Sequence, residues 1–452
     1  MTKQLGPFSA CFGVISVGAV LMAPVPAAAQ AASDAPTFSK DVAPVLYKHC
    51  TTCHRPGEIA PMSLLTYEQT RPWARSIRDN VVNGVMPPWH ADPAHGKWVN
   101  DRRLTAQEKD VIVRWVDAGA PQGNARDLPP APVYAEGWTI GQPDAIVTME
   151  KEYAVKAQGE IEYQYFEMQT NFTEDKWIQA LEVRPGNRAV VHHILVYARS
   201  PQMTRRPQVF RMQNPPGPLS PTQMKEMEEA KADPAKAQAR RQQSQRRGNL
   251  IAQIAPGTNP TRYAPGSAML LEAGTVLTFQ VHYTTNGTAA TDKSRIGFKF
   301  AKQAPLNPVY ATAMMNSRFM IPAGAGNHPV EARMEFVEDV TIYSLAPHTH
   351  LRGKTWEYTV TYPDGRNDVV LSVPTYDFNW QTEYVFATPL QLPKGSILKS
   401  VAHYDNSKEN PANPDPTQPV YWGDQTWEEM QYTGIIYSID KESRTTTAQQ
   451  PR

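Results

Sequence analysis

Two textures divide the chain. In the first, apolar positions recur at helical spacing: Val111, Ile112, Trp115 and Val116 form one stripe, with Thr105-Ala106-Gln107-Glu108 ahead of it as a capping box and Gly119 where the helix would stop. A helix before Cys50 and another across residues 67–82 are predicted by the same pattern. From about Gly137 the chain changes to short alternating runs separated by Pro and Gly, the signature of antiparallel β-sandwiches. In the clearest run Leu277, Phe279, Val281 and Tyr283 share one face, assigned to the core, while Gln280, His282 and Thr284 share the other. Leu128-Pro129-Pro130-Ala131-Pro132 reads as a stiff linker. The expectation is a multidomain chain: a small all-α domain over 35–127, a Pro-rich linker over 128–136, and two all-β antiparallel sandwich domains, jelly-roll-like, over 137–302 and 303–445.

The stretch 201–249 interrupts the first sandwich with Met224, Met227, a cluster of Glu and then Arg240, Arg241, Arg246 and Arg247. Its thioethers suit Cu(I) as soft donors, but a solvated arm whose methionines pack locally is the favoured reading.

Length and composition narrow the class. The 452 residues allow several domains, and 41 Pro with 26 Gly fit a turn-rich β protein. With 45 basic and 44 acidic residues, charge gives no reason to propose nucleic acid or an anionic membrane as partner. Lys3, an apolar run ending near Met22, and Pro24, Pro26 and Ala27-Ala28-Ala29 read as a secretory signal over 1–31. That run is short for a membrane span, so an exported, periplasmic or secreted bacterial protein without a span in the mature chain is expected. Cys11 would leave with the signal, and Cys50 and Cys53 remain.

Those two cysteines stand in Cys50-Thr51-Thr52-Cys53-His54, the C-x-x-C-H pattern in which both thiols bond to haem vinyl groups and the histidine becomes an axial ligand of the iron. A thioredoxin-like redox pair also uses C-x-x-C, but no βαβ pattern surrounds this one. Met86, in Met86-Pro87-Pro88-Trp89-His90, is the expected second axial ligand, with His90 as the alternative. The helical region thereby resembles a class I-type cytochrome c domain with a covalent haem c.

Histidines gather in the β region. In Ala346-Pro347-His348-Thr349-His350, two imidazoles two residues apart on an extended chain reach one side together, as a chelate. His192 and His193 are adjacent in an apolar strand, so a regular strand would send them to opposite faces. Either one is a core histidine, or the backbone bulges so that both meet one metal. His282 lies on the polar face of its strand, and Met430 follows Glu429 near the C-terminus.

In order, His192-His193, Val281-His282-Tyr283, His348-Thr349-His350 and Glu428-Glu429-Met430 resemble the copper type II, ascorbate-dependent monooxygenases, the family of peptidylglycine α-hydroxylating monooxygenase and dopamine β-hydroxylase. Leu351-Arg352-Gly353-Lys354, Ile321-Pro322 and Gly324 extend the match, which covers about residues 140–440. The resemblance implies two coppers, one held by His192, His193 and His282 for electron transfer and one held by His348, His350 and Met430 where O2 reacts. Gln280 is an electron-transfer candidate. It further implies hydroxylation of a C–H bond of a small organic substrate, with electrons entering through the haem from a periplasmic donor. A dehydrogenase passing substrate electrons out through the haem to an acceptor, and a non-catalytic copper-binding electron-transfer protein, are the rival readings. The family's bracing disulfides have no cysteines here. Its substrate-binding arginine, two residues before the chelate, is Ala346, and its tyrosine four residues after the methionine is Gly434, which argues against glycine-extended peptides as substrate.

Overall fold

The computed structural model describes residues 35–442 except 59, 135–136, 202–207, 234–247, 256–257 and 259. The expected signal at 1–31, with Cys11, lies outside the described residues, as does much of the charged stretch 201–249.

The described chain is mostly β-sheet with few helices. Helices Ala43–His49, Ala74–Val82 and Ala106–Asp117 enclose a small core of Phe38, Val42, Leu46, Ile77, Val81, Ile112 and Trp115. Thr105 Oγ1 accepts the Glu108 N–H at 3.1 Å and Glu108 Oε2 accepts the Thr105 N–H at 2.8 Å, which closes the capping box. Gly119 follows at φ 86°, a left-handed conformation that ends the helix at little cost only for glycine.

A self-contained all-α unit over 35–127 is not evident. Trp89, Ala91 and Trp98 are buried in the core of the second β-sandwich, and Trp98 packs on Phe386 at a ring-centroid distance of 4.7 Å. The backbone around Trp98 pairs antiparallel alongside the strand Tyr384–Leu392, with the Val99 N–H donating to the Val385 carbonyl at 2.9 Å and the Ala387 N–H to the Lys97 carbonyl at 2.8 Å.

One nine-stranded sheet runs through both sandwiches. Its order is Ala145–Thr148, Arg295–Phe300, Lys176–Arg184, Ser267–Leu271, Asn307–Asn316, Gln431–Ile439, Val340–His348 and Tyr384–Leu392, with the short Thr261–Arg262 alongside. The first half packs on a four-stranded sheet, Gln164–Gln169, Val276–Tyr283, Val191–Arg199 and Asn249–Ile254. The second half packs on a five-stranded sheet built on Gly353–Thr361 and Ile397–Tyr404. The halves join where Ser267–Leu271 pairs in parallel with Asn307–Asn316, just past the boundary expected at 302/303. In the 201–249 stretch Phe210–Met212 pairs with His328–Phe336, and the helix Pro221–Ala232 leaves Met224 and Met227 exposed.

Candidate metal and haem sites

The His192-His193 parity problem is solved by a register shift. On the strand Val276–Tyr283, His282 faces His193 but Tyr283 faces Val191, so His192 is the extra residue of a β-bulge. The bulge turns His192 toward its neighbours. Ligand atoms of His192, His193 and His282 all lie within 4.8 Å of one another. His282 Nδ1 is buried without a hydrogen-bond partner, and Tyr163 packs edge-on against His193 and His282. Burial holds all three imidazoles below their usual pKa, His282 at about 3, and neighbouring imidazoles push His193 and His282 further down. They are therefore neutral at ordinary pH, the form that binds a metal.

The second group forms at the end of the strand Val340–His348. His348 ends the strand and His350 lies beyond it, so the chelate is set by the turn rather than by strand alternation alone. Tyr376 pins that turn, its hydroxyl 3.3 Å from the Thr349 N and 3.2 Å from the Thr349 carbonyl. The two rings are 5.2 Å apart. His350 Nδ1 donates to the Glu428 carbonyl at 3.1 Å, which leaves Nε2 as a lone pair, and that Nε2 is buried with no partner. His348 Nδ1 lies 2.9 Å from Gln381 Oε1, and donation along that contact frees its Nε2 in the same way. An imidazole fixed through one nitrogen with the other left open is the arrangement of a metal ligand. Burial holds His348 down at about 4 and His350 well below the usual range. Gln381→Leu is expected to weaken metal binding at this pair by about 10- to 100-fold in a competition titration with a chelator.

Glu429 organises the turn from beneath. Its carboxylate accepts the backbone N–H groups of His350 at 2.8 Å, Arg352 at 2.7 Å and Met430 at 3.2 Å. Burial raises it to about 7, against the downward pull of those donors and Arg352. Met430, His348, His350, His193 and Gln280 line one cavity of about 400 Å³. Gln280 is 4 % exposed and held by Tyr165 and Tyr197, so the polar face of its strand is covered. The reason is that it forms a wall of this cavity. Ala346 lines this cavity and faces Gly434 across neighbouring strands, which brings the two departures from the peptide hydroxylase together, while Gly434 itself lines a small adjoining pocket with Leu250 and Ala311.

Phe378, absent from the sequence expectations, packs against all five imidazoles. It stacks on His192 at 5.7 Å and 21° and meets His350 at 6.0 Å, with His193, His282 and His348 within 6.5 Å.

A separate, mostly apolar cavity of about 480 Å³ is lined by Cys50, Cys53, His54, Met86 and Met62 among others. Burial pushes the Cys50 thiol up to about 12 and raises Cys53 as well. Reactive dithiols need the opposite shift, so the pair is unsuited to redox exchange. His54 is lowered by burial and its Nδ1 has no partner. The cysteine pair, an available imidazole and two thioethers in an apolar cavity fit a covalent haem. Met86 lines the cavity as expected. Met62 is a second thioether that motif spacing did not single out, and His90 is not among the lining residues but beside Asp377.

No family model and no curated protein matches the chain. Among solved structures it is similar to allantoicase at 7% identity and a TM-score of 0.15, over 56% of this chain and 81% of that one. It is also similar to infectious bursal disease virus, Gt strain, at 8% identity and a TM-score of 0.18, over 65% and 70%. Likenesses this slight carry no argument about fold or function.

Proposed function

We propose that the chain is a haem-fused dicopper monooxygenase that hydroxylates a C–H bond of a small organic substrate, electrons entering through a haem c. The observation that carries this reading is His350 Nε2, buried, without a partner and fixed as a lone pair by the Glu428 carbonyl, in the cavity that also receives His348 and Met430. A helical cytochrome c-like segment and two copper-bearing sandwiches are the finer architecture this reading assigns.

His192, His193 and His282 would hold the electron-transfer copper; His348, His350 and Met430 the copper where O2 reacts; Cys50, Cys53, His54 and Met86 the haem. When bound, these groups supply one-electron transfer and O2 activation, and the reaction converts R–H, O2, two electrons and two protons into R–OH and water. The chain's own contribution is placement. Gln381 and the Glu428 carbonyl aim the His348 and His350 lone pairs into the cavity, while the thioether of Met430 favours the reduced metal. Ala346 puts a small uncharged side chain where the peptide hydroxylase has its arginine, and no arginine is among the described residues lining the cavity, so a substrate is selected by fit rather than by a carboxylate–arginine pair. Ala346→Leu adds bulk at a position that lines this cavity and is expected to raise KM about tenfold or more, with kcat less affected.

The test is to reduce the copper-loaded protein without air, then add O2 and a panel of candidate substrates while following the haem spectrum. Haem reoxidation that depends on substrate, with an atom of labelled O2 in the product, supports the reading. Oxidised product without label makes the chain a dehydrogenase, and no substrate-dependent turnover leaves an electron-transfer protein. Either result overturns the proposal.

A further inference from the structure

The loop 374–383 joins the strand Asn367–Val373 of the five-stranded sheet to Tyr384–Leu392 of the nine-stranded sheet. It passes between the two cavities. Trp380 lines the apolar cavity that contains Cys50, Cys53 and His54. Two residues earlier Phe378 stacks on His192, the most nearly parallel of its five imidazole contacts. The loop is held in a fixed shape. Its Tyr376 N–H donates to the Lys354 carbonyl at 2.8 Å, Trp380 N–H to Asp377 at 2.9 Å, Thr382 N–H to Trp380 at 2.9 Å, and the Gln381 side chain donates back to the Phe378 carbonyl at 3.3 Å. Phe378 and Trp380 are both only partly buried. Neither belongs to the hydrophobic core whose packing would by itself require two large aromatics there; Phe378 packs only at its margin.

We infer that Trp380 and Phe378 form the route by which electrons pass from the haem to the metal held by His192, His193 and His282. The inference rests on the proposed function. In each transfer a ferrous haem iron loses one electron and becomes ferric, and Cu(II) at the histidine group gains it and becomes Cu(I). A one-electron donor outside the chain reduces the haem again. Trp380, the two intervening peptide units and the Phe378 ring give a continuous path, covalent from the indole to the phenyl ring and ending in a stacked contact on an imidazole. A contiguous path of this kind has consequences at each of its members, including residues that bind neither group.

The experiment uses the full chain loaded with haem and Cu(II) under argon. A ruthenium photoreductant delivers one electron to the haem, and the decay of the ferrous haem band is followed together with loss of the Cu(II) paramagnetic signal. Phe378→Leu and Trp380→Leu are each expected to slow that decay by roughly tenfold in preparations matched for haem and copper content, while Phe378→Tyr, Trp380→Phe and Trp73→Leu, at an exposed position that lines neither cavity, keep the wild-type rate. If Trp380→Leu fails to retain haem, Phe378→Leu alone decides, because it does not line the haem cavity. Wild-type transfer with an unchanged rate in Phe378→Leu overturns the route and leaves the proposed function standing. Absence of transfer in the fully loaded wild-type protein overturns both.

Discussion

Replacing His350 with alanine is expected to lower bound copper by about half and to reduce O2-dependent product formation by on the order of a thousandfold. The residue is held from two directions, its backbone N–H by Glu429 at 2.8 Å and its Nδ1 by the Glu428 carbonyl at 3.1 Å, and its Nε2 is left open in the cavity. Alanine keeps the first of these and deletes the other two, so the turn survives while the ligand does not. One-electron reduction of the haem and transfer to the His192, His193 and His282 group should persist, because no ligand of that group changes. His192→Ala should reverse the pattern, with the haem staying reduced after the flash and the His348/His350 group still able to take up copper. Metal analysis, the paramagnetic copper signal and product yield separate the two variants. Full product yield in His350→Ala would remove the O2-reacting role from this group.

Much of this constellation was legible because imidazoles are scarce and their neighbours distinctive. The sequence also posed the right question at His192-His193, where two-residue alternation forbids a shared face, and a one-residue bulge against Tyr283 and His282 answers it. The capping box at Thr105 and the alternation of Leu277, Phe279, Val281 and Tyr283, all buried, were readable from local rules. What local rules could not carry was anything set by distant packing. Nothing in the local sequence of the 374–383 loop says that Phe378 reaches five histidines or that Gln381 fixes His348. Alternation put Gln280 on the polar side of its strand but could not say what covers that side. Trp89 and Trp98 fell within a helical region by sequence and within a β core in space. The absence of bracing cysteines likewise had no visible counterpart along the chain; both sandwiches instead share a single sheet joined by a parallel pair.

Glu429→Leu should have the largest effect on folding of any single change near the site, because a buried carboxylate there answers several donors at once. Without it the N–H groups of His350, Arg352 and Met430 lose their acceptor, and each buried donor left unpaired costs about 1–3 kcal/mol. Arg352 is 2 % exposed, and with Glu429 gone its guanidinium keeps only neutral acceptors, Asn406 Oδ1 at 2.9 Å and the Trp427 carbonyl at 3.0 Å. Removing one of the two carboxylates that act on this buried guanidinium, with Asp415 remaining, adds to the loss. The sum is on the order of 5 kcal/mol, or a fall in Tm of roughly 10 °C for a domain of this size. Glu429→Gln preserves the shape and one acceptor oxygen but turns an amide N–H toward a backbone N–H, so it should fall between wild type and Glu429→Leu. Calorimetry on the copper-free protein reads the packing contribution alone, and a second scan with copper reads how much metal binding restores. A leucine variant melting within about 2 °C of wild type would mean that the three N–H groups find water or one another instead, and Glu429 would then not be what holds His350 and Met430 in register.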